Sequence, residues 1–425
     1  MTEKINILFD SKIFMEALFT VTSNRSGIYF TSWNILQIMQ KNNNFNIILT
    51  YPNEYENLAY LRKIKKTPFF SQFKFINVEL DGPKPLIMKN IEKHKKNKNY
   101  IKMFYNYLRL VKWEKNNYTI NKEIFKNAQI YISPYFAIPQ SILNQEHIKK
   151  FYILYDAIPI IFPESTSPNH TEIVNSFNKD IYSFCISQSC KDDFLKYCGD
   201  KLDANKMFVT YIATNQHYIP KYDKQELLNV LKKYKIKHNP NDKYLFSLCN
   251  FEPRKNLIFT INCFLKFIIK HNIHDLYFYL GGNIYKYFKD AFTKILEESG
   301  EFKHKIKLLG YLDDSDTNIL YSNSLFFTFL SKYEGFGMPP LEAMQAGTPV
   351  ITSNNSSLPE VVGDAAIMID YDSEEQCLKA FEDLYFNEDL RKHYIEKGLE
   401  RAKLFSWEKT VNKMSDYIIN SLQNK

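Results

Sequence analysis

At 425 residues and 50.4 kDa the chain exceeds what one ordinary hydrophobic core accommodates, so two domains are expected. Its 45% hydrophobic and 24% charged residues are those of a soluble globular protein, and without a run of about 18 apolar residues no membrane-spanning helix is expected. The formal net charge is +8, and eleven Lys/Arg against three Glu between Pro85 and Asn127 account for all of it. No RNA- or DNA-binding motif accompanies that charge, so nucleic acid is not an expected partner.

The first ten residues, "MTEKINILFD", carry charges and then read as a strand over 5–10, so a signal peptide is not expected. A loop containing Arg25-Ser26-Gly27 follows, then a helix, "IYFTSWNILQIMQKN". Short apolar runs at 45–51, 73–80 and 128–134 read as strands, and "FYILYDAIPIIFP" (151–163) as a strand running into a loop. "FCISQSCKDDFLKYC" is a strand end, a Ser-rich turn and a helix start, and 207–213 a further strand. Six cysteines (Cys185, Cys190, Cys198, Cys249, Cys263 and Cys377) form no C-x-x-C pair and read as reduced, mostly core thiols of a cytoplasmic protein.

Within 85–127, "NYIKMFYNYLRLVKW" interleaves Tyr100, Phe104, Tyr105, Tyr107, Leu108 and Trp113 with basic residues on an expected helix. One reading is a solvated basic face on a core helix. The other is a surface for an anionic membrane, or for an acidic acceptor, which would make the protein peripheral on the inner face of the cytoplasmic membrane.

The order of elements restarts after the polar stretch at 214–225. Strands are expected at 243–250, 276–282, 306–312 and 325–331, then "PVITSN" and "AAIMID", with helices between them and an all-helical end. Strands alternating with helices indicate parallel sheets with crossover helices. The expected fold is α/β: two doubly wound Rossmann-like domains, 1–214 and 215–407, facing each other across a deep cleft and hinged near 214–222. Ligands in such sheets bind beyond the carboxyl ends of the strands, which makes the cleft the expected site.

Glycine is scarce, 12 in 425 residues, yet Gly335, Gly337, Gly347 and Gly363 fall within 29 of them. In "YEGFGMPPLEAM" a strand runs into Lys332-Tyr333-Glu334-Gly335-Phe336-Gly337-Met338. Pro339 and Pro340 suit a helix entry, where their missing N–H groups are not needed, and Gly347 suits its C-terminal end. Glu334 then lies in a loop at a strand's carboxyl end, and Glu342 in the first helical turn. A helix N-terminus opened by a glycine loop attracts anions, so a diphosphate belongs there, with two carboxylates ready to accept from sugar and ribose hydroxyls. The alternative is that Glu342 only complements the helix dipole and the glycines only turn the chain. "NFEPRKN" (250–256) adds Arg254 and Lys255 at a strand-to-helix corner, suited to phosphate oxygens.

Together "EPRKN", "LLGYL", "SKYEGFGMPPLEAMQAGTPVITSNNSSLPEVVGDAA" and "FSW" resemble a retaining family-4 glycosyltransferase with the GT-B fold, of bacterial surface-polysaccharide type. The resemblance is dense over about 243–410, roughly 40% of the chain, and weaker in the Gly27 loop, "YDAIP" and "CISQSCKDDF". It implies that Glu334 and Glu342 are an E-x(7)-E pair, the first against the donor sugar and the second on the ribose. It implies that main-chain groups of Gly335, Phe336, Gly337 and Met338, with Leu341, line the donor, that Arg254 and Lys255 grip the diphosphate, and that Leu309, Gly310 and Tyr311 meet the base. The Gly27 loop would approach the diphosphate, Asp156 would serve the acceptor, and the helix at 408–425 would pack back on the N-terminal domain.

Two departures matter. Tyr155-Asp156 stands where many relatives read His-Asp, and Cys249-Asn250 where many carry glycine and a further arginine. Asp314-Ser315-Asp316 spells D-x-D but begins a short helix, so N-capping is the expected role. No metal and no cofactor are expected beyond the nucleoside-diphosphate sugar as co-substrate. The resemblance implies a metal-independent, retaining hexosyltransferase acting on a glycan or lipid-linked acceptor, with mannose, glucose or N-acetylhexosamine and both GDP and UDP open. The alternatives are a non-catalytic relative that stabilises a partner transferase, or a nucleotide-sugar epimerase.

Overall fold

The structure is a computed structural model that describes residues 3–19, 27–51, 63–77, 84–97, 99–162, 168–283 and 286–423. The expected loop residues Arg25 and Ser26, and the end of the strand expected over 73–80, lie outside the described residues.

The chain forms two compact units. The first holds the residues up to Ile186, Lys191–Thr210 and the chain from Trp407 onward; the second holds Ser187–Cys190 and Tyr211–Ser406.

The first unit is built on β1 (Ile5–Asp10), β2 (Phe45–Tyr51), β3 (Lys74–Asn77), β4 (Ile130–Ser133), β5 (Lys149–Leu154), β6 (Tyr182–Cys185) and β7 (Met207–Val209). These make one sheet in the order β3-β2-β1-β4-β5-β6-β7, with every pairing parallel. Parallel strands are covered on both faces, and their sequences accordingly read as unbroken apolar runs. All four residues of β4, Ile-Tyr-Ile-Ser, are buried.

Helices α1 (Lys12–Phe19), α2 (Gly27–Met39), α3 (Lys84–Lys96), α4 (Tyr100–Asn127), α5 (Pro168–Ser176) and α6 (Gln188–Cys198) follow the strands. Three sequence expectations need correction. Residues 12–19 form a helix and not a loop: Ile13, Phe14 and Ala17 share one buried face, and Asp10 Oδ1 accepts the Lys12 N–H at 2.9 Å where the helix begins. Within 151–163, read as a strand running into a loop, the strand stops at Leu154 and the loop is replaced in part by a short helix, Ile158–Ile161, entered where Asp156 Oδ1 accepts the Ile158 N–H at 3.0 Å. The strand expected over 207–213 keeps only Met207–Val209.

The second unit has a six-stranded parallel sheet of β8 (Lys243–Leu248), β9 (Leu276–Gly281), β10 (Ile306–Gly310), β11 (Phe326–Phe329), β12 (Val350–Ser353) and β13 (Ile367–Ile369). Its helices are α7 (Lys224–Lys233), α8 (Leu257–Lys270), α9 (Lys286–Glu298), α10 (Asp314–Ser322), α11 (Met338–Gln345), α12 (Leu358–Val362), α13 (Glu374–Phe386) and α14 (Glu388–Ala402). Their apolar faces close a core around Phe264, Phe267, Phe278, Phe326 and Phe381. Residues 214–222, read from the sequence as a hinge, are fastened within this unit: Ile219 N–H donates to Asn318 Oδ1 at 3.1 Å, and Tyr222 O–H to Gly347 O at 3.0 Å.

The last helix, α15 (Trp407–Gln423), belongs to the first unit, where it packs on α2 and stacks Tyr417 on Phe208 with centroids 4.0 Å apart.

The strand order of the second sheet, β10-β9-β8-β11-β12-β13, fixes where a ligand belongs. From β8 the chain winds outward through β9 and β10, then returns to β11 and winds the other way. The crevice beyond the carboxyl ends of β8 and β11 is therefore the topological switch point, where doubly wound sheets bind ligands.

Candidate active site

The two loops that leave this switch point carry the charged residues singled out in the sequence. After β8 the chain makes a 3-10 turn, Pro253–Lys255, and Asn256 takes a left-handed conformation (φ 57°) before α8 starts. That corner throws Arg254 and Lys255 to the same side. After β11 comes Glu334. Its Oε1 accepts from Arg254 Nη1 at 2.9 Å and from Lys255 Nζ at 2.6 Å, and all three side chains are only 11–13% exposed. Arg254 also donates to Tyr333 O and lies 3.4 Å from Glu252 Oε2, while Lys255 Nζ sits 4.9 Å from the centroid of the Phe329 ring. Burial alone would raise the Glu334 carboxyl, but the charges of Lys255 and then Arg254 outweigh it and hold the group below its usual range. The sequence reading gives the cations to a phosphate and the carboxylate to a sugar; in the structure they hold one another.

The loop from Glu334 to Gly337 is pinned by serines. Ser357 Oγ lies 2.9 Å from Glu334 O and 2.8 Å from Phe336 O, with its one proton shared between them, and Ser187 Oγ donates to Gly335 O at 2.7 Å. Ser356 Oγ accepts the Glu334 N–H at 2.9 Å. The carbonyls are thus taken up within the protein. The N–H groups are not: among the described residues, no acceptor takes those of Gly335, Phe336, Gly337 or Met338, although the first three residues are buried. Successive unbonded N–H groups form a concavity suited to an anion or to hydroxyl oxygens, and leaving them buried without a partner is costly. Gly337 makes the bend possible with φ 111°, and a Cβ there would lie 2.8 Å from Leu358 Cδ2.

Gly337 is the N-cap of α11, so Pro339 and Pro340 are its second and third residues. Glu342 is the fifth, in the second turn and not the first as expected, because the left-handed Gly337 starts the helix before the prolines. At the other end Gly347 (φ 74°) ends α11 as expected; its N–H reaches Met344 O at 3.1 Å and the Thr348 N–H reaches Ala343 O at 2.9 Å. Glu342 belongs to a second network, in which its Oε2 accepts from Tyr321 O–H at 3.0 Å. Burial pushes its carboxyl up to about 7, with Asp314 adding to the rise and the Tyr321 and Tyr218 hydroxyls opposing it.

The remaining donor-side residues are placed as follows. Leu309 and Gly310 end β10, with Gly310 at φ 72°, and the Tyr311 side chain beyond them is 67% exposed. Leu341 is fully buried, and the Phe336 ring packs edge-on to Phe405 at 5.8 Å, so Phe336 can offer a ligand only its main chain. The D-x-D aspartates do not cap α10: its N-cap is Asp313, without a side-chain cap bond, and Asp316 instead accepts from Lys233 Nζ at 2.6 Å and Tyr234 O–H at 2.7 Å. Among the described residues no group of three or more His, Cys, Asp or Glu is placed to hold a metal ion.

Gly27 and Asp156 belong to the first unit. Gly27 opens α2. Asp156 lies with Ile28, Tyr135, Tyr155 and His170 around a cavity of about 50 Å³. Tyr155 O–H lies 3.3 Å from Ser32 Oγ and 3.5 Å from Ile28 O, which ties the end of β5 to the first turns of α2. Burial raises the Tyr155 phenol, so it stays neutral. Sequence reasoning missed Ser187, Ser356 and Ser357; the Ser-rich turn after β6 was the available signal for the first and the Ser-Ser-Leu-Pro run that opens α12 for the other two.

The switch point of the second unit thus gathers paired cations, a buried carboxylate and a run of unbonded amides. Residues 231–401 match the model of the family Glycosyl transferases group 1. An Escherichia coli O-antigen chain mannosyltransferase B is 33% identical over 205 residues, 48% of this chain and 52% of the relative. An E. coli serotype-specific mannosyltransferase WbdA is 27% identical over 290 residues, 65% of this chain and 34% of the relative. The chain thus spans about half of the first relative and a third of the second. A Rickettsia africae glycosyltransferase structure superposes with a TM-score of 0.64 at 15% identity, over 99% of this chain and all of that one. The structure of Anabaena Alr3699/HepE in complex with UDP gives 0.64 at 13% identity, over 98% of this chain and all of that one. The fold is GT-B, and the chain is related to bacterial surface-polysaccharide mannosyltransferases.

Proposed function

We propose that this protein transfers a sugar from a nucleoside-diphosphate sugar to an acceptor hydroxyl, with retention at the anomeric carbon. The observation that carries the reading is the run of unbonded N–H groups from Gly335 to Met338 beside Arg254, Lys255 and Glu334. A diphosphate satisfies the cations, and sugar hydroxyls satisfy the carboxylate and the amides. In the transfer, the bond from the anomeric carbon to the diphosphate oxygen breaks and a bond to the acceptor oxygen forms on the same face. The acceptor proton passes to the departing diphosphate oxygen, so no strong protein base is needed. Arg254 and Lys255 stabilise the charge that develops on that oxygen. Glu334 positions the sugar and steadies positive character at its ring, Glu342 accepts from the ribose, and Asp156 serves the acceptor. The Gly27 end of α2 approaches the diphosphate, and Leu309, Gly310 and Tyr311 meet the base.

The sugar is a hexose such as mannose and the acceptor a surface or lipid-linked glycan; relatives named as an O-antigen chain mannosyltransferase and a serotype-specific mannosyltransferase support mannose and an O-antigen chain. No metal enters this scheme, since the positive charge facing the leaving group comes from side chains. The test is a thermal-shift screen against GDP, UDP, ADP, dTDP and their common sugars, with and without chelator. A nucleotide at about 100 times its dissociation constant adds ~2.7 kcal/mol of stability. A chelator-insensitive shift with one base is expected and names the donor. Silence across the whole panel would overturn the proposal in favour of a non-catalytic relative.

A further inference from the structure

The connection from β3 to β4 contains more structure than the fold requires. A parallel crossover needs one helix, and this one has two, α3 and α4, packed on each other. The last turns of α4 serve the core, where Phe125 is 3% exposed. Its first turns do not. Tyr100 is 60% exposed, Ile101 73%, Phe104 57%, Tyr105 65%, Tyr107 54% and Leu108 46%. At about 100° per residue these six side chains fall on one arc of roughly 160°. Met103 and Asn106, on the other side, are partly buried. Single exposed apolar residues are ordinary, whereas six on one face of one helix are not.

Along the chain from Lys93 to Leu108 the charge has one sign. Lys93, Lys95 and Lys96 close α3 as exposed side chains, and Lys102 is exposed at the margin of the arc. From Lys93 to Leu108 there is no Asp or Glu. A second copy of the chain fits poorly, since an isologous contact would set these lysines against themselves. Aromatic rings with a polar tip, framed by lysines whose stems reach over apolar surface, match the headgroup layer of an anionic membrane.

We propose that the exposed arc of α4 from Tyr100 to Leu108, framed by Lys93, Lys95, Lys96 and Lys102, docks on a bilayer that contains anionic phospholipid. The protein lies on the surface: among the described residues no helix is long and apolar enough to cross a membrane. The inference does not depend on the sugar-transfer reading, and its test uses no activity.

The full chain is mixed with vesicles of phosphatidylcholine, alone or with added phosphatidylglycerol, and bound protein is measured by flotation. Binding is expected to the mixed vesicles and to fall as salt rises. Each lysine near an anionic surface contributes about fivefold to affinity, so joint replacement of Lys93, Lys95, Lys96 and Lys102 by Gln weakens binding by at least about tenfold. The variant Phe104→Ser/Tyr105→Ser weakens it by about tenfold or more with every lysine in place. Both variants change exposed side chains only, and circular dichroism confirms their fold. No binding to mixed vesicles, or binding that neither variant weakens, overturns the proposal. Native self-association that Phe104→Ser/Tyr105→Ser abolishes, without vesicle binding, assigns the arc to a second copy and overturns it too.

Discussion

Replacing Glu334 by Gln keeps the shape of the side chain and removes its charge, which makes it the sharpest probe of the site. In the ligand-free protein one oxygen of Glu334 holds both Arg254 and Lys255, and each of the three side chains is nearly buried. Removing one partner of such a buried pair costs about 3–5 kcal/mol, because the remaining charges lose their compensation. Arg254 keeps Glu252 at 3.4 Å, so the lower end, ~3 kcal/mol, is expected. For a unit of this size that lowers the melting temperature by about 6–12 °C. Glu334 titrates below its ordinary value, so its stabilisation is in place above about pH 4.5 and is lost as pH falls through the folded value. The variant should lack that acid-side loss. A nucleoside diphosphate supplies the missing negative charge, so it should raise the melting temperature of Glu334→Gln at least as much as that of the native protein. Transfer should disappear. The assay is a melt of both proteins, with and without the nucleotide identified in the panel, beside a transfer measurement. A ligand-free melting temperature within about 1 °C of native would refute the cluster's energetic role. Equal loss of nucleotide binding and transfer would refute the assignment of the sugar to Glu334.

Glu342 predicts the opposite pH behaviour. Its folded carboxyl is held near 7 against an ordinary 4.5, so between those values the native state keeps a proton that the unfolded chain has lost. Stability from this group therefore falls as pH rises through that window, by up to ~3 kcal/mol. Glu342→Gln should melt higher than native at pH 8 and lose that slope between pH 5 and 7; an unchanged slope would show that the titrating group lies elsewhere. Gly337→Ala should lose ~1–3 kcal/mol and donor binding, since φ is 111° and the new Cβ meets the buried Leu358 at 2.8 Å. Gly310→Ala is its control for stability: φ is 72° but nothing lies within 4 Å of a Cβ, so only the backbone cost of ~1 kcal/mol is expected, and equal losses of stability in the two variants would refute the steric argument.

Much of the fold was legible because parallel strands are covered on both faces and write that into the sequence as unbroken apolar runs. β1, β2 and β8–β12 stand within two residues of where those runs place them. The failures have local causes. In "KIFMEALF" the helical face begins directly after a strand, with no Gly or Pro to mark the boundary. "FYILYDAIPIIFP" hides a short helix after its strand, because the turn into it is made by a single carboxylate, Asp156, closing on an N–H two residues later. The α3–α4 pair was legible as charge and aromatic content, whereas the concentration of exposed rings in the first turns of α4 required the packing.

The site separates into what spacing can encode and what it cannot. The switch point follows from strand order, and the left-handed turns follow from a few glycines placed where a sheet strand ends. Residue types at Glu334, Arg254 and Lys255 announce an anion and a polyol. They do not announce that carboxylate and cations hold one another through a single oxygen. An ionised carboxylate has further acceptor sites beyond those two contacts, so Glu334 can keep its cations and still take hydroxyls. On the proposed reading a donor therefore completes the cluster: its diphosphate meets Arg254 and Lys255 while its sugar hydroxyls meet Glu334 and the amides of Gly335 to Met338, which a free diphosphate or a free sugar would do only in part.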